Sequence, residues 1–148
     1  MESEPIIVGG EESGGLSIRG HIPEKDGVLA CLLMAELVAM EGKPLGRILR
    51  DLEKQTGEFH TDRINIAVPP AQKAAILRKL AGGFDKIGRF VVQRFITTDG
   101  FKFLLPEGEW VAFRASGTEP VIRCYLEAKS AAHLKKLKSA CRKILTAK

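Results

Sequence analysis

Phe101-Lys102-Phe103-Leu104-Leu105-Pro106-Glu107-Gly108-Glu109-Trp110-Val111-Ala112-Phe113, then Arg114-Ala115-Ser116-Gly117-Thr118-Glu119-Pro120, then Val121-Ile122-Arg123-Cys124-Tyr125-Leu126-Glu127-Ala128, is the stretch that decides the fold class. Phe101, Phe103 and Leu105 alternate with Lys102 and Leu104, the period of a strand with one buried face. Pro106-Glu107-Gly108 turns the chain, and Trp110 to Phe113 starts the next strand. Arg114 to Pro120 reads as a polar loop. From Val121 to Ala128, Ile122, Cys124 and Leu126 share one side, and Arg123, Tyr125 and Glu127 the other. Working outward, Phe90 to Thr97 runs as a strand into Asp99-Gly100, a tight-turn signal. Ser130 can cap a last helix with an inner face of Leu134, Leu137, Cys141, Ile144 and Leu145. Upstream, Ile64, Ile66 and Val68 mark a half-buried strand that Pro69-Pro70 stops. Ala71 to Ala81 then reads as a helix with Ala74, Ile76, Leu77 and Leu80 inward, broken by Gly82-Gly83. The order strand, helix, strands, helix predicts an α+β layer, an antiparallel sheet with helices packed on one face.

The boundary of this unit falls near Gly57 to Thr61, so residues 58–148 form one domain and residues 1–57 belong to another. In the first part, Pro5 to Val8 reads as the end of a buried strand, and Gly9 to Gly20 as a loop. Asp26 caps a helix to about Met40, with Val28, Leu29, Leu32, Leu33, Leu37 and Met40 at helical spacing, and Gly42 ends it. Pro44 opens a second helix with Leu45, Ile48, Leu49 and Leu52 on one face. One strand and two helices make too small a core to stand alone, so this part reads as the α/β tail of a preceding domain. Its strand near Ile6 is expected to be disordered or irregularly paired.

The chain has 148 residues, 45% hydrophobic and 28% charged, the balance of a globular protein and not of a disordered tail. The longest apolar run, Val28 to Met40, is interrupted by Glu36 and falls short of a membrane span. The start, Met1-Glu2-Ser3-Glu4, lacks the basic residues of a secretory signal. Cys31, Cys124 and Cys141 have no CxxC spacing, which argues against a disulfide framework or zinc and for buried free thiols in a reducing cytoplasm. The net charge of +5 attracts anions of any class.

Three loops carry chemistry. Arg114 to Pro120 with Arg123 combines two guanidinium groups, two hydroxyls and a glycine between two strands. Those are the parts of a phosphate cradle, and equally those of a polar hairpin loop with solvated arginines. Gly9-Gly10-Glu11-Glu12-Ser13-Gly14-Gly15 sets carboxylates and a hydroxyl between glycines, which suits sugar hydroxyls and also describes a plain surface loop. Arg19 to Gly27 leads into a helix N-terminus, where His21 and Lys25 can reach an anion or be solvated beside a simple cap.

GEESGG at 10–15, RGHIPEKDG at 19–27 and RASGTEPVIR at 114–123 resemble, in this order, the late motifs of the α-D-phosphohexomutase superfamily. The resemblance covers nearly the whole chain. It implies a full enzyme of four domains, of which this chain is the C-terminal part, ending in a TATA-binding-protein-like layer. Glu11 and Ser13 would bind sugar. Arg114, Ser116, Gly117, Thr118 and Arg123 would bind phosphate, and His21 and Lys25 would lie near the phosphate path. The GEESGG and HIPEKDG forms lean toward the phosphoglucomutase branch, which interconverts glucose 1-phosphate and glucose 6-phosphate through a phosphoserine and a bisphosphosugar. Phosphomannomutase is the alternative, and Gly15, where some members place histidine, bears on that choice. The family's phosphoserine loop and its magnesium loop of spaced aspartates are absent. Mg2+ would therefore bind elsewhere in the full-length enzyme, no metal site or catalytic residue is expected here, and this chain alone should be inactive. The expected partners are a phosphorylated hexose and the missing N-terminal domains, with no nucleic acid and no membrane.

The rival of another class is a basic nucleic-acid-binding module. Lys135, Lys136, Lys138, Arg142 and Lys143 crowd the last helix, but they fall mostly outside its apolar stripe, and the strands are expected to lack a clustered aromatic pair for base stacking. A regulatory or scaffolding fragment is a further alternative.

Overall fold

The computed structural model describes residues 6–11 and 13–146, and the chain divides into two compact units, Met1–Gln55 and Thr56–Lys148. In the first, β1 (Val8–Gly10) pairs antiparallel with β2 (Leu16–Ile18). Expected as loop, Gly9 to Gly20 thus contains a hairpin. Its turn is closed by Glu11 N donating to Gly15 O (2.9 Å) and Gly14 N to Glu11 O (3.0 Å). Gly14, at φ +89°, takes a left-handed conformation open to glycine. The pairing at Val8 is regular, not irregular, because these backbone bonds pin the register. The predicted burial does not hold: Ile6 and Val8 are 74% and 57% exposed, and Pro5 lies outside the described residues.

Helix α1 (Gly27–Glu41) starts where Asp26 accepts from the Val28 and Leu29 amides, and stops at left-handed Gly42. Helix α2 (Leu45–Thr56) follows the Pro44 carbonyl, which accepts from Arg47 and Ile48. The expected inner faces are only partly covered. Leu29, Leu33, Leu37 and Ile48 are half-buried, whereas Val28, Leu32, Met40, Leu45, Leu49 and Leu52 are exposed.

The second unit is the α+β layer. It runs β3 (His60–Ala67), α3 (Pro70–Ala81), β4 (Lys86–Ile87), β5 (Phe90–Val91), β6 (Arg94–Ile96), β7 (Phe101–Leu104), a 3-10 turn (Pro106–Gly108), β8 (Trp110–Ala115), β9 (Val121–Ala128) and α4 (Ala131–Thr146). The main sheet has the order β3-β9-β8-β7-β6, all antiparallel. Its inward residues, among them Ile64, Phe103, Val111, Phe113, Ile122 and Leu126, form one core with Ile76 and Leu80 of α3 and Leu137, Cys141 and Leu145 of α4. Both helices therefore cover the same face.

Three local expectations need correction. The strand expected over Phe90 to Thr97 is broken: Phe90 pairs in a small hairpin with Ile87, and Val92 N bonds to Asp85 O before β6 joins the main sheet. Ala74 is exposed, and Lys73 beside it is half-buried. Of the thiols expected buried, Cys124 and Cys141 are, but Cys31 on α1 is exposed. The Cys141 thiol beside it, together with burial, pushes the Cys124 thiol up. No helix among the described residues is long and apolar enough to cross a membrane.

Candidate functional site

Residues 114–123 form the end of β8, a turn and the start of β9. Arg114 lies on the strand, not in the polar loop expected over Arg114 to Pro120, because the β8–β9 ladder continues to the pair Ala115–Ile122. Faces alternate along a strand. Phe113, Ile122 and Cys124 point to the helices, so Arg114 and Arg123 point to the other face. They are direct cross-strand partners, with Asn65 of β3 next in the same row. Two like charges in that position repel. Each is met by one carboxylate: Arg114 Nη1 lies 3.4 Å from Asp99 Oδ2, and Arg123 Nη2 donates to Glu119 Oε2 at 3.1 Å. Glu119, and after it Tyr125, holds the Arg123 guanidinium proton more tightly than usual.

The turn itself is pinned from inside. Ser116 is 6% exposed; its Oγ accepts from Glu119 N (3.2 Å) and its N–H donates to Val121 O (3.1 Å). Val68 N donates to Pro120 O (2.8 Å). From α3, Lys73 Nζ donates to Ser116 O (2.8 Å) and approaches Glu119 O (3.4 Å). Gly117 and Thr118 are exposed, and their N–H groups make no hydrogen bond among the described residues. Two arginines and two open amides thus share one hydrogen-bonded turn, groups of the kind that contact anions.

In the first unit, the 11–15 turn and the 21–26 segment gather a second set. Glu11 Oε1 pairs with Lys25 Nζ at 2.7 Å, and Ser13 Oγ donates to Glu11 Oε2 at 3.3 Å. A Cβ at Gly15 would stand 3.0 Å from Lys25 Cδ and 3.2 Å from Glu11 Oε2, so a glycine here admits both side chains. His21 is not part of this group. Its Nε2 lies 3.0 Å from Asp26 Oδ2, and the Leu29 amide, then His21, hold the Asp26 carboxyl below its usual range.

Lys73, Asp99 and Tyr125 escaped the sequence reading. In sequence Asp99 reads only as a turn residue, and no spacing signal links Lys73 to a loop 43 residues away. On the open face of the main sheet no aromatic rings stack on one another among the described residues. Trp110 and Tyr125 are diagonal neighbours there, since Trp110 pairs with Glu127 and Ala112 with Tyr125. Trp110 is already engaged: Lys102 covers its ring and the indole donates to Glu127. Among the described residues no group of three or more His, Cys, Asp or Glu can hold a metal, so these residues do not fit a Mg2+ site.

The family model for the phosphoglucomutase/phosphomannomutase C-terminal domain matches residues 64–144, and that for the alpha/beta/alpha domain III of the same family matches residues 1–56. The chain belongs to the phosphoglucomutase/phosphomannomutase family. It is 36% identical over 83% of its length to a phosphoglucomutase/phosphomannomutase of Thermococcus kodakarensis. It is 33% identical over 94% of its length to a phosphoglucomutase of Komagataeibacter xylinus, and 33% over 88% to a probable phosphoglucosamine mutase of Methanothermobacter thermautotrophicus. It spans 25%, 28% and 28% of those proteins. Its fold is that of a family protein from Burkholderia thailandensis, with a TM-score of 0.68 and 21% identity over 95% of this chain and 28% of that one. Paramecium parafusin in its open form also shares it, with a TM-score of 0.66 and 24% identity over 93% of this chain and 28% of the other.

Proposed function

We propose that this chain is the C-terminal substrate-binding part of a phosphoglucomutase, with residues 1–57 contributing the sugar loop and residues 58–148 the phosphate loop. The observation that carries the reading is the turn at 116–119, where the Gly117 and Thr118 amides stay open between Arg114 and Arg123. A phosphate dianion offers each guanidinium a better partner than the single carboxylate it holds now, and Asp99 and Glu119 would give way. Ser116 shapes the turn and keeps its hydroxyl proton for a phosphate oxygen. Glu11 would exchange Lys25 and Ser13 for vicinal sugar hydroxyls, and Lys25, so released, would face the phosphate path with His21.

In this reading the loop grips the phosphate that is not reacting. Such binding serves catalysis by positioning the sugar. A phosphoserine donor and an assisting Mg2+ would lie in the parts of a longer enzyme that this chain does not span, and a cytoplasmic location would go with that chemistry. Alone the chain should turn over nothing and bind phosphosugar weakly, roughly in the high micromolar to millimolar range.

The test is an amide NMR titration of the chain with glucose 6-phosphate, mannose 6-phosphate, glucosamine 6-phosphate, inorganic phosphate and a short oligonucleotide. The reading expects hexose phosphates to shift Gly117, Thr118 and Arg123, with the glucose ester also moving Glu11 and Ser13. Shifts confined to α4 with the oligonucleotide would favour the nucleic-acid alternative. A stronger response to the mannose or glucosamine ester would reassign the sugar.

A further inference from the structure

We propose that Lys73 is a positioning residue of the phosphate loop, aiming the Gly117 amide at the ligand. The inference rests on the phosphate reading above. Lys73 sits in the first turns of α3, on the helix side of the sheet, and is half-buried although lysines usually keep their ammonium in water. Among the described residues no carboxylate lies within ion-pairing distance of it; its ammonium instead meets two backbone carbonyls, Ser116 O at 2.8 Å and Glu119 O at 3.4 Å. These carbonyls close the two ends of the turn.

The first contact has a directional consequence. The Ser116 carbonyl and the Gly117 N–H belong to one peptide plane, and in a trans peptide they point in opposite directions. A cation that holds the Ser116 oxygen toward α3 therefore turns the Gly117 N–H away from α3 and toward the open side. It also polarises that peptide, which makes the N–H a better donor to an anion. The second contact steadies Glu119, whose carboxylate is the one that Arg123 must release. Lys73 touches no ligand in this scheme. It acts through the turn.

The experiment compares the chain with Lys73→Met, Lys73→Arg and Lys79→Met. Lys79 is a fair control, since it lies on the same helix and donates to the Ile144 carbonyl at 3.2 Å, away from the turn. Two quantities are read: 15N relaxation of Gly117 and Thr118 without ligand, and the dissociation constant for glucose 6-phosphate from amide shifts. Lys73→Met should loosen Gly117 and weaken binding on the order of tenfold, the equivalent of about 1.4 kcal/mol. Lys73→Arg should recover most of both, and Lys79→Met should leave both within about twofold, or ~0.4 kcal/mol. Unchanged order at Gly117 in Lys73→Met, or equal losses in Lys79→Met, would overturn the proposal. If the parent chain binds no phosphosugar, the phosphate reading falls, while Gly117 relaxation still decides whether Lys73 holds the turn.

Discussion

Arg123 stands at the centre of the candidate site with Arg114 across the ladder, Asn65 beside it and Glu119 on its guanidinium. A planar fork suits a phosphate in a way that a lysine does not. Arg123→Ala should therefore weaken hexose phosphate binding by about 1.5–3 kcal/mol, the span of a hydrogen bond to a charged group. Arg123→Lys should recover little of it, and the same NMR titration measures both. A second residue reports on pH. Lys138 beside it, and then the Arg63 amide, hold the Asp62 carboxyl below its usual range. A carboxyl depressed in the folded state contributes stability above its unfolded value, about pH 4, and loses it as the pH falls through the folded value. Asp62→Asn should thus cost about 0.2–1 kcal/mol at neutral pH, as a partly exposed pair does, and flatten the acid loss of stability below about pH 4. Urea melts at pH 7 and pH 3 check both signs. The two guanidinium groups, two hydroxyls and glycine at 114–123 were legible in the sequence as one group between two strands. Their carboxylate partners were not, because Asp99 reaches Arg114 from another hairpin.

At the scale of elements, caps and turns were read well because their signals are local. Asp26, Gly42 and Ser130 each do at their helix ends what their chemistry favours. The β6–β7 turn shows a longer reach. Gly100, at φ +92°, would bring a Cβ within 2.5 Å of Phe113 O, so the turn leans directly on β8 and holds Asp99 near Arg114. Gly100→Ala should cost about 1–3 kcal/mol from backbone strain alone, with the contact adding to it. It should also move the Arg114 side-chain resonances, which a 15N–1H spectrum detects. The break at Val92 was not legible. Phe90 to Thr97 alternates well enough for one strand, and the Phe90–Ile87 pair and the bond from Val92 N to Asp85 O show that the chain changes partners there.

At the scale of the molecule, every buried hydrophobic residue among those described belongs to the second unit. Residues 56–148 alone should fold cooperatively, with dispersed amide signals and a single urea transition, whereas residues 1–55 alone should not. An isolated 56–148 chain without a cooperative transition would mean that the core of this unit needs the first. The sequence by itself determined the α+β class, the helix ends and the residue types of the three loops. Those follow from period, caps and composition, which neighbours along the chain encode. The tertiary structure alone decided that Arg114 faces Arg123 and that Lys73 reaches the Ser116 carbonyl in the turn between them. It also decided that Glu11 holds Lys25 while His21 turns to Asp26. Register depends on backbone bonds between segments far apart in sequence, and a long side chain finds its partner only once that register is set.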